Sequence, residues 1–194
     1  MSNLNSSSKL FHFFEQAKLL IEDNEDKLFI KSIINDLLQQ IVKINNVHEN
    51  IMEYRELFVR IAEFIKLVSY ADPIICELFI AYISKLPVPI HFINIIPAMF
   101  SMSSKDVIEI LAKQLFELAT SDQNLLIQIL CVLTELPLSN QLANTIMKLT
   151  QNIIQDSDDD DDMPSLFRII TKLSNLASSE LTIFLWRKRV IRFN

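Results

Sequence analysis

Six aspartates crowd the stretch QDSDDDDDMPS, and such a carboxylate cluster can bind a cation or mark a kinase target. They are Asp156 and Asp158 to Asp162. Calcium-binding loops place their acids at alternate positions around a turn glycine, and this run has neither feature. The run therefore predicts no metal site. It favours a solvated acidic loop at 155–163 between two helices, because adjacent aspartates repel each other and form helices poorly.

Ser157 stands directly before five of these aspartates and is a candidate phosphosite. Asp160 lies three residues after it, which matches the S-x-x-[D/E] pattern of acid-directed kinases. Phosphorylation would add charge to a loop that is already anionic. The pattern therefore predicts regulation at Ser157 and no catalytic chemistry.

Four cations lie close together in the segment LTIFLWRKRVIRFN, residues 181–194. They are Arg187, Lys188, Arg189 and Arg192. Such a patch can contact phosphates or act as a nuclear-import signal, and Trp186 beside it could stack on a base. A helical solenoid normally closes with a polar capping helix. We therefore expect 181–194 to be either the truncated end of a longer chain or a genuine, atypical basic tail.

Catalytic and cofactor motifs are missing from the sequence. The chain has no glycine, which excludes P-loops, dinucleotide-binding turns and nucleophile elbows, because these need glycine at tight turns. No set of neighbouring motifs supplies a nucleophile, a base and a third residue that orients the base, which covalent catalysis needs. We predict that the chain is not an enzyme and has no catalytic residues, no cofactor and no small-molecule substrate.

The cysteines and histidines do not have the spacing of metal ligands. Cys76 and Cys131 lie in apolar helical stretches, as expected for buried, reduced thiols of an intracellular protein. His12, His48 and His91 are scattered, and we expect them at the surface or at its boundary. No metal site is predicted.

The net charge of −6 comes from the acidic run alone. Removing its six aspartates from the 24 acidic residues leaves 18, which equals the number of lysines and arginines. The rest of the chain is therefore neutral, and overall charge gives no sign of nucleic acid or of an acidic substrate as a partner.

Apolar residues recur at helical spacing along most of the chain, and no stretch has the alternation of a strand. In LFHFFEQAKLLI (10–21) the stripe contains Leu10, Phe14 and Ala17, and in 26–44 it contains Leu28 and Ile34. A further helix, PIHFINIIPAMF, is predicted behind Pro89. The predicted helix starts are Asn50 with Glu53, Asp72 before Pro73, Ser103 with Asp106, Ser121, Ser139, and Asp162 with Pro164.

This pattern predicts an all-α fold of about nine to ten helices. Helix starts recur roughly every 16 to 20 residues, which gives a pair period of roughly 35 to 45 residues, in the HEAT/armadillo range. We therefore predict an irregular α-solenoid of antiparallel helical hairpins, with a single compact bundle as the alternative. The expected organisation is a disordered N-terminus at 1–7, one solenoid domain at 8–180 and the basic tail at 181–194.

No membrane span is predicted, and we expect a soluble protein. The most apolar stretch, 78–100, is interrupted by Lys85, His91, Asn94 and three prolines. Its uninterrupted apolar runs are shorter than the roughly 18 to 20 residues that a membrane helix needs.

From Leu57 onward the chain resembles the N-terminal helical solenoid of the Fanconi anaemia group I protein family. The stretches LFVRIAEFIKLV and NIIPAMFSM are similar to the early part of that solenoid. The best match is LCVLTELPLSNQLANTIMKLTQNIIQ, followed by MPSLFRIITKLSNLASSE, which has the family's PxLxxxLxxLS spacing. The aspartate run makes one connection between helices longer than it is in the family. The sequence after Glu180 does not resemble the next helix of the family.

The resemblance implies a nuclear scaffold in the repair of DNA interstrand crosslinks. Such a scaffold pairs with a paralogous Fanconi-type subunit as a heterodimer and clamps double-stranded DNA. The family's monoubiquitinated lysine lies in a later part of its chain, so no lysine here takes that role. The alternative is a HEAT-like adaptor in transport, translation or a ubiquitin-ligase assembly, which would place the protein in the cytoplasm.

Overall fold

The computed structural model describes residues 6–22, 26–45, 54–69, 73–87, 89–156 and 162–174. Over these residues the chain forms α-helices and short 3-10 turns and has no strand, which confirms the predicted all-α class. The α-helices are α1 (Ser6–Glu22), α2 (Lys27–Asn45), α3 (Arg55–Ser69), α4 (Pro73–Tyr82), α5 (Pro89–Ile93), α6 (Ile96–Phe100), α7 (Lys105–Ser121), α8 (Leu126–Leu133), α9 (Asn140–Asp156) and α10 (Met163–Leu173).

Two predicted helix caps are wrong by one residue. Ser104, rather than Ser103, caps α7, because its hydroxyl accepts a hydrogen bond from the Val107 N–H at 3.4 Å. An N-cap side chain accepts from the free N–H two or three residues after it. The Val107 N–H is three residues after Ser104 and four after Ser103, so Ser104 is the cap. Asp122, rather than Ser121, caps the 3-10 turn Gln123–Leu125, since its carboxylate accepts from the Asn124 N–H at 3.1 Å.

Two other predicted starts are found where the sequence places them. The Ser139 hydroxyl accepts from the Leu142 N–H at 3.2 Å at the start of α9. Pro164 lies in the first turn of α10, behind Asp162, although the Asp162 side chain makes no capping hydrogen bond. α9 extends to Asp156 and α10 begins at Met163, so the ends of the loop predicted at 155–163 are helical, and residues 157–161 of the acidic run lie outside the described residues.

The helix predicted behind Pro89 is divided into α5 and α6. α5 ends at Ile93 and α6 begins at Ile96, with a turn between them. Pro97 explains the break, because a proline has no N–H to donate and its ring clashes with the carbonyl four residues earlier, which belongs to Ile93.

The chain separates into two compact units, Met1–Met102 and Ser103–Asn194. In the first unit α1 contacts α2, α2 contacts α4, and α3 contacts α5 and α6. The rings of Phe14 on α1 and Phe64 on α3 meet edge to face with centroids 5.5 Å apart. Helices one and three, and helices two and four, are therefore neighbours, as in stacked helical hairpins.

The second unit has the same kind of neighbour relations. α8 contacts α7 and α10, and α10 also contacts α9. None of the residues of α8 is exposed, and Ile129, Leu130, Val132 and Leu133 are buried, so α8 is covered on more than one side. The single solenoid domain at 8–180 stays a prediction, whereas the pairing of helices within each unit is observed.

Aromatic side chains fill much of the core of the first unit. Tyr54 and Phe58 stack with ring centroids 5.8 Å apart, and Phe92 on α5 lies 6.4 Å from Phe58. All three are fully buried. Among the helices of the described residues, none is both long and apolar enough to cross a membrane.

We expect Phe58→Ala to destabilise the chain by about 3–5 kcal/mol, because it removes a fully buried ring and leaves a cavity. The neighbouring Val59 is 40% exposed, so Val59→Ala should change the free energy of unfolding by less than about 0.5 kcal/mol. Urea unfolding followed by circular dichroism measures both changes. Equal effects of the two substitutions would show that Phe58 is not in the core.

Candidate functional site

The site residues predicted from the acidic and basic runs lie outside the described residues. These are Ser157, Arg187, Lys188, Arg189 and Arg192. In the part of the chain that the structure describes, no group of three or more His, Cys, Asp or Glu side chains could hold a metal ion. The candidate surfaces therefore come from the helices themselves.

The first surface is the apolar hairpin end, which we define as Leu19, Leu20, Leu28 and Phe29. Leu19 and Leu20 lie in the last turn of α1, Leu28 and Phe29 lie in the first turn of α2, and the two helices contact each other. All four side chains thus lie at one end of the hairpin. Leu19 is 64%, Leu20 51% and Leu28 69% exposed.

The exposure of Leu28 corrects the sequence analysis, which placed this residue in the buried stripe of α2. Residues at the beginning of a helix can point past the neighbouring helix, so helical spacing alone does not bury them. Leu19 and Leu20 are apolar but lie outside the predicted buried stripe of α1. Their position could have indicated an exposed apolar surface from the sequence alone. Clustered exposed leucines are typical of a protein-binding surface.

The second surface is an open groove between α7 and α9, which we call the α7–α9 groove. One part has a volume of about 400 Å³ and the adjoining part a volume of about 530 Å³. Phe116 and Thr120 line both parts, so the groove is continuous.

The lining residues show that α7 and α9 run in the same direction. Glu109 of α7 lies in the part lined by Gln141 and Thr145 of α9. Thr120, eleven residues further along α7, also lies opposite Ile153 of α9. The groove is therefore roughly 16 Å long at 1.5 Å per residue.

The groove has an apolar floor and a polar rim. Half-buried Phe116, Leu149 and Ile153 contribute to the floor. Exposed Glu109 and Glu117 lie on the α7 rim, with Lys113 between them. These groups can bind apolar side chains and pair with cations, which suits a peptide segment of mixed character.

A serine and a carboxylate meet at one end of the groove. The Ser139 hydroxyl donates to Glu109 Oε1 at 2.6 Å and also accepts from the Leu142 N–H. Nucleophilic activation normally needs a base that is oriented by a third group, usually a histidine. The Ser139 contacts fit a helix cap.

A charged cluster joins the end of α8 to α10. Glu135 accepts from Arg168 at 3.1 Å and from Lys172. The hydrogen bond from Lys172 lowers the pKa of Glu135, the positive charges of Lys172 and Arg168 lower it further, and partial burial opposes them. Because Lys172 is near the C-terminal end of α10 and Glu135 follows α8, α10 ends near the α8–α9 connection.

Cys76 and Cys131 are both reduced thiols, but only Cys76 is fully buried. Its thiol donates to the Met99 carbonyl at 3.3 Å. Cys131 is half-buried, and burial raises its pKa although Arg168 and Lys172 lie near enough to oppose that shift. A thiol with a raised pKa is largely protonated near neutral pH and is a weak nucleophile.

His91 on α5 is half-buried, whereas His12 on α1 is exposed, so both lie at the surface or its boundary as predicted. The Nε2 atom of His91 is buried and has no hydrogen-bond partner within the described ranges. Burial, and then the positive charge of Arg55, lower the pKa of His91. The neutral form is therefore the stable form of this side chain.

No protein-family model, curated protein or solved structure matches the chain. The resemblance to Fanconi group I proteins stays a prediction.

We expect the first unit to lose stability as the pH falls below about 6.5, the ordinary histidine pKa. The unfolded chain binds a proton at His91 more readily than the folded chain does, because the folded pKa is lowered. The loss of stability should level off once the pH is below the pKa of His91 in the folded chain. Urea unfolding of wild type and His91→Gln between about pH 8 and about pH 5 measures it.

In that experiment the slope of stability against pH should be smaller in His91→Gln than in wild type. Arg55→Gln should give an intermediate slope, because it removes the second cause of the pKa shift and leaves the burial. Identical slopes in wild type and His91→Gln would contradict the assignment.

We expect Glu135→Gln to lower the stability of the second unit by about 0.5–1 kcal/mol at neutral pH, the range for partly exposed ion pairs. Since the folded pKa of Glu135 is lowered, its contribution is present above the ordinary glutamate pKa and disappears as the pH falls through the folded value. Urea unfolding at neutral and acid pH measures this loss. Adding Arg168→Met to Glu135→Gln should cost little more, and fully additive effects would show that the two residues do not interact.

Proposed function

We propose that this chain is a non-enzymatic helical scaffold segment that binds other macromolecules through the surfaces of its paired helices. The apolar hairpin end carries the proposal, because four large apolar side chains are exposed in the last turn of α1 and the first turn of α2. Fully burying an exposed leucine side chain contributes about 1.5–3 kcal/mol, so contact with a partner at this place would be favourable.

In its narrower form, the proposal is a scaffold of the Fanconi group I type in DNA interstrand-crosslink repair. Its partner would be a paralogous Fanconi-type subunit, its second ligand double-stranded DNA, and its location the nucleus. The similarity of the stretches from Leu57 to Glu180 to that family supports this form, and the contacts between neighbouring helices within each unit are compatible with it.

Within the described residues, several cations are already paired with acids. Arg60 and Lys18 contact Glu15, and Arg168 and Lys172 contact Glu135. Paired cations contribute less to phosphate binding, because their charge is partly neutralised. The proposed DNA contact is assigned to the cations at 187–192, because four of them lie within six residues.

The second candidate function is a protein–protein adaptor in transport or in a ubiquitin-ligase assembly. The apolar character of the hairpin end favours it, since this surface suits a protein partner and needs no DNA. The two functions differ in whether the chain binds double-stranded DNA.

The partner test compares leucines at the hairpin end with an exposed leucine elsewhere. Leu20→Glu with Leu28→Glu should weaken binding to the paralogous subunit at least tenfold, because each change places a carboxylate in an apolar contact. Leu67→Glu is the matched control, since Leu67 is 75% exposed on α3. Calorimetry measures the affinities, and equal affinity of all variants would contradict the proposed surface.

The DNA test uses fluorescence anisotropy of the full chain with labelled duplex at two salt concentrations. Changing Arg187, Lys188, Arg189 and Arg192 together to alanine should weaken binding and reduce its salt dependence, because fewer counterions are released. A wild-type chain that does not bind the duplex would contradict the repair form and favour the adaptor.

A further inference from the structure

The α7–α9 groove exposes apolar side chains that no helix in the described ranges covers completely. Phe116, Leu149 and Ile153 are each half-buried along it. We infer that residues 181–194 of this same chain bind in the α7–α9 groove. The groove and the proposed DNA contact use the same cations at 187–192, so the two modes of binding compete. The test of the groove contains neither DNA nor a partner protein, so its outcome does not depend on the proposed function.

The described chain ends close to the groove. Ser174 is the last described residue, and Lys172 beside it contacts Glu135. Ser139 lies four residues after Glu135, at most about 14 Å along the chain. The Ser139 hydroxyl is 2.6 Å from Glu109 at one end of the groove. The chain therefore leaves α10 near the Glu109 end.

The length of the following sequence fits this route. Residues 175–180 can span roughly 20 Å when extended, which is enough to pass from the end of α10 to a neighbouring helix. The 14 residues 181–194 would be about 21 Å long as a helix and longer as a strand. The groove is roughly 16 Å long, so the segment can fill it.

The composition of the segment also fits the groove. It contains the apolar run Ile183 to Trp186 and four cations at 187–192. The apolar run matches the floor of the groove. The charged lining residues are Glu109, Lys113 and Glu117, so the rim has a net negative charge while the segment is strongly positive, and their attraction is favourable.

Trp186 provides a direct probe of the inference, because it is the single tryptophan of the chain. In the full wild-type chain we expect blue-shifted Trp186 fluorescence and severalfold weaker acrylamide quenching than in the free peptide 181–194. Raising the salt concentration should increase the quenching, since ion pairs at the rim are screened. Quenching equal to that of the free peptide would overturn the inference.

Three threonines give matched variants for this measurement. Thr120 and Thr145 line the groove, whereas Thr171 lies on α10, and all three are exposed and donate to the carbonyl four residues earlier. Thr120→Arg with Thr145→Arg should release Trp186 and raise its quenching severalfold, because cations repel the basic segment. Thr171→Arg should leave the quenching unchanged.

If acrylamide quenching of Trp186 stays weak in the variant with both Thr120→Arg and Thr145→Arg, the inference is overturned, because Trp186 would then be buried elsewhere. Circular dichroism checks that the variants keep their helices. Amine crosslinking of wild type should join Lys113 and Lys188 within one chain. Crosslinks that form only between isotopically distinct copies in a mixed sample would also overturn it and assign the groove to a second copy.

Discussion

The arrangement of the helices depends on the need of inner helices to bury apolar side chains in more than one direction. α8 is the clearest case, since each residue of Leu126–Leu133 is buried or half-buried, on every side of the helix. It can be stable only with neighbours on several sides, and it has α7 on one side and α10 on another. Once α8 and α10 are neighbours, α7 and α9 are placed side by side, with a groove where their side chains do not meet.

Helical spacing and start signals predicted the all-α class and, to within one residue, the described starts at Ser104, Asp122, Ser139 and Asp162, because both depend on residues close in sequence. The cap at Ser104 and the break before Pro97 were missed by small margins, since adjacent serines and a proline within an apolar run leave local alternatives. The α7–α9 groove could not be predicted, because its width depends on contacts between helices. Leu28 shows the same limit, since its exposure depends on where the neighbouring helix ends.

Two clusters of paired charges, around Glu15 and around Glu135, connect helices within the fold. Glu135 holds Arg168 and Lys172 beside the α8–α9 connection and so orients the end of α10. Arg60 pairs with Glu15 at 3.0 Å and lies over the ring of Phe11, which links α3 to α1. Apolar surfaces, rather than these paired charges, are therefore the places where the scaffold proposal puts its contacts.

The central proposal is that the chain is a scaffold that binds a partner through the apolar hairpin end. Hydrogen–deuterium exchange of the full chain, with and without the paralogous Fanconi-type subunit, tests it most directly because it reports on every helix at once. The account predicts slower exchange on binding in peptides from the end of α1 and the start of α2, around Leu20 and Leu28. Unchanged exchange in these peptides would contradict the proposal, whether or not other peptides become protected.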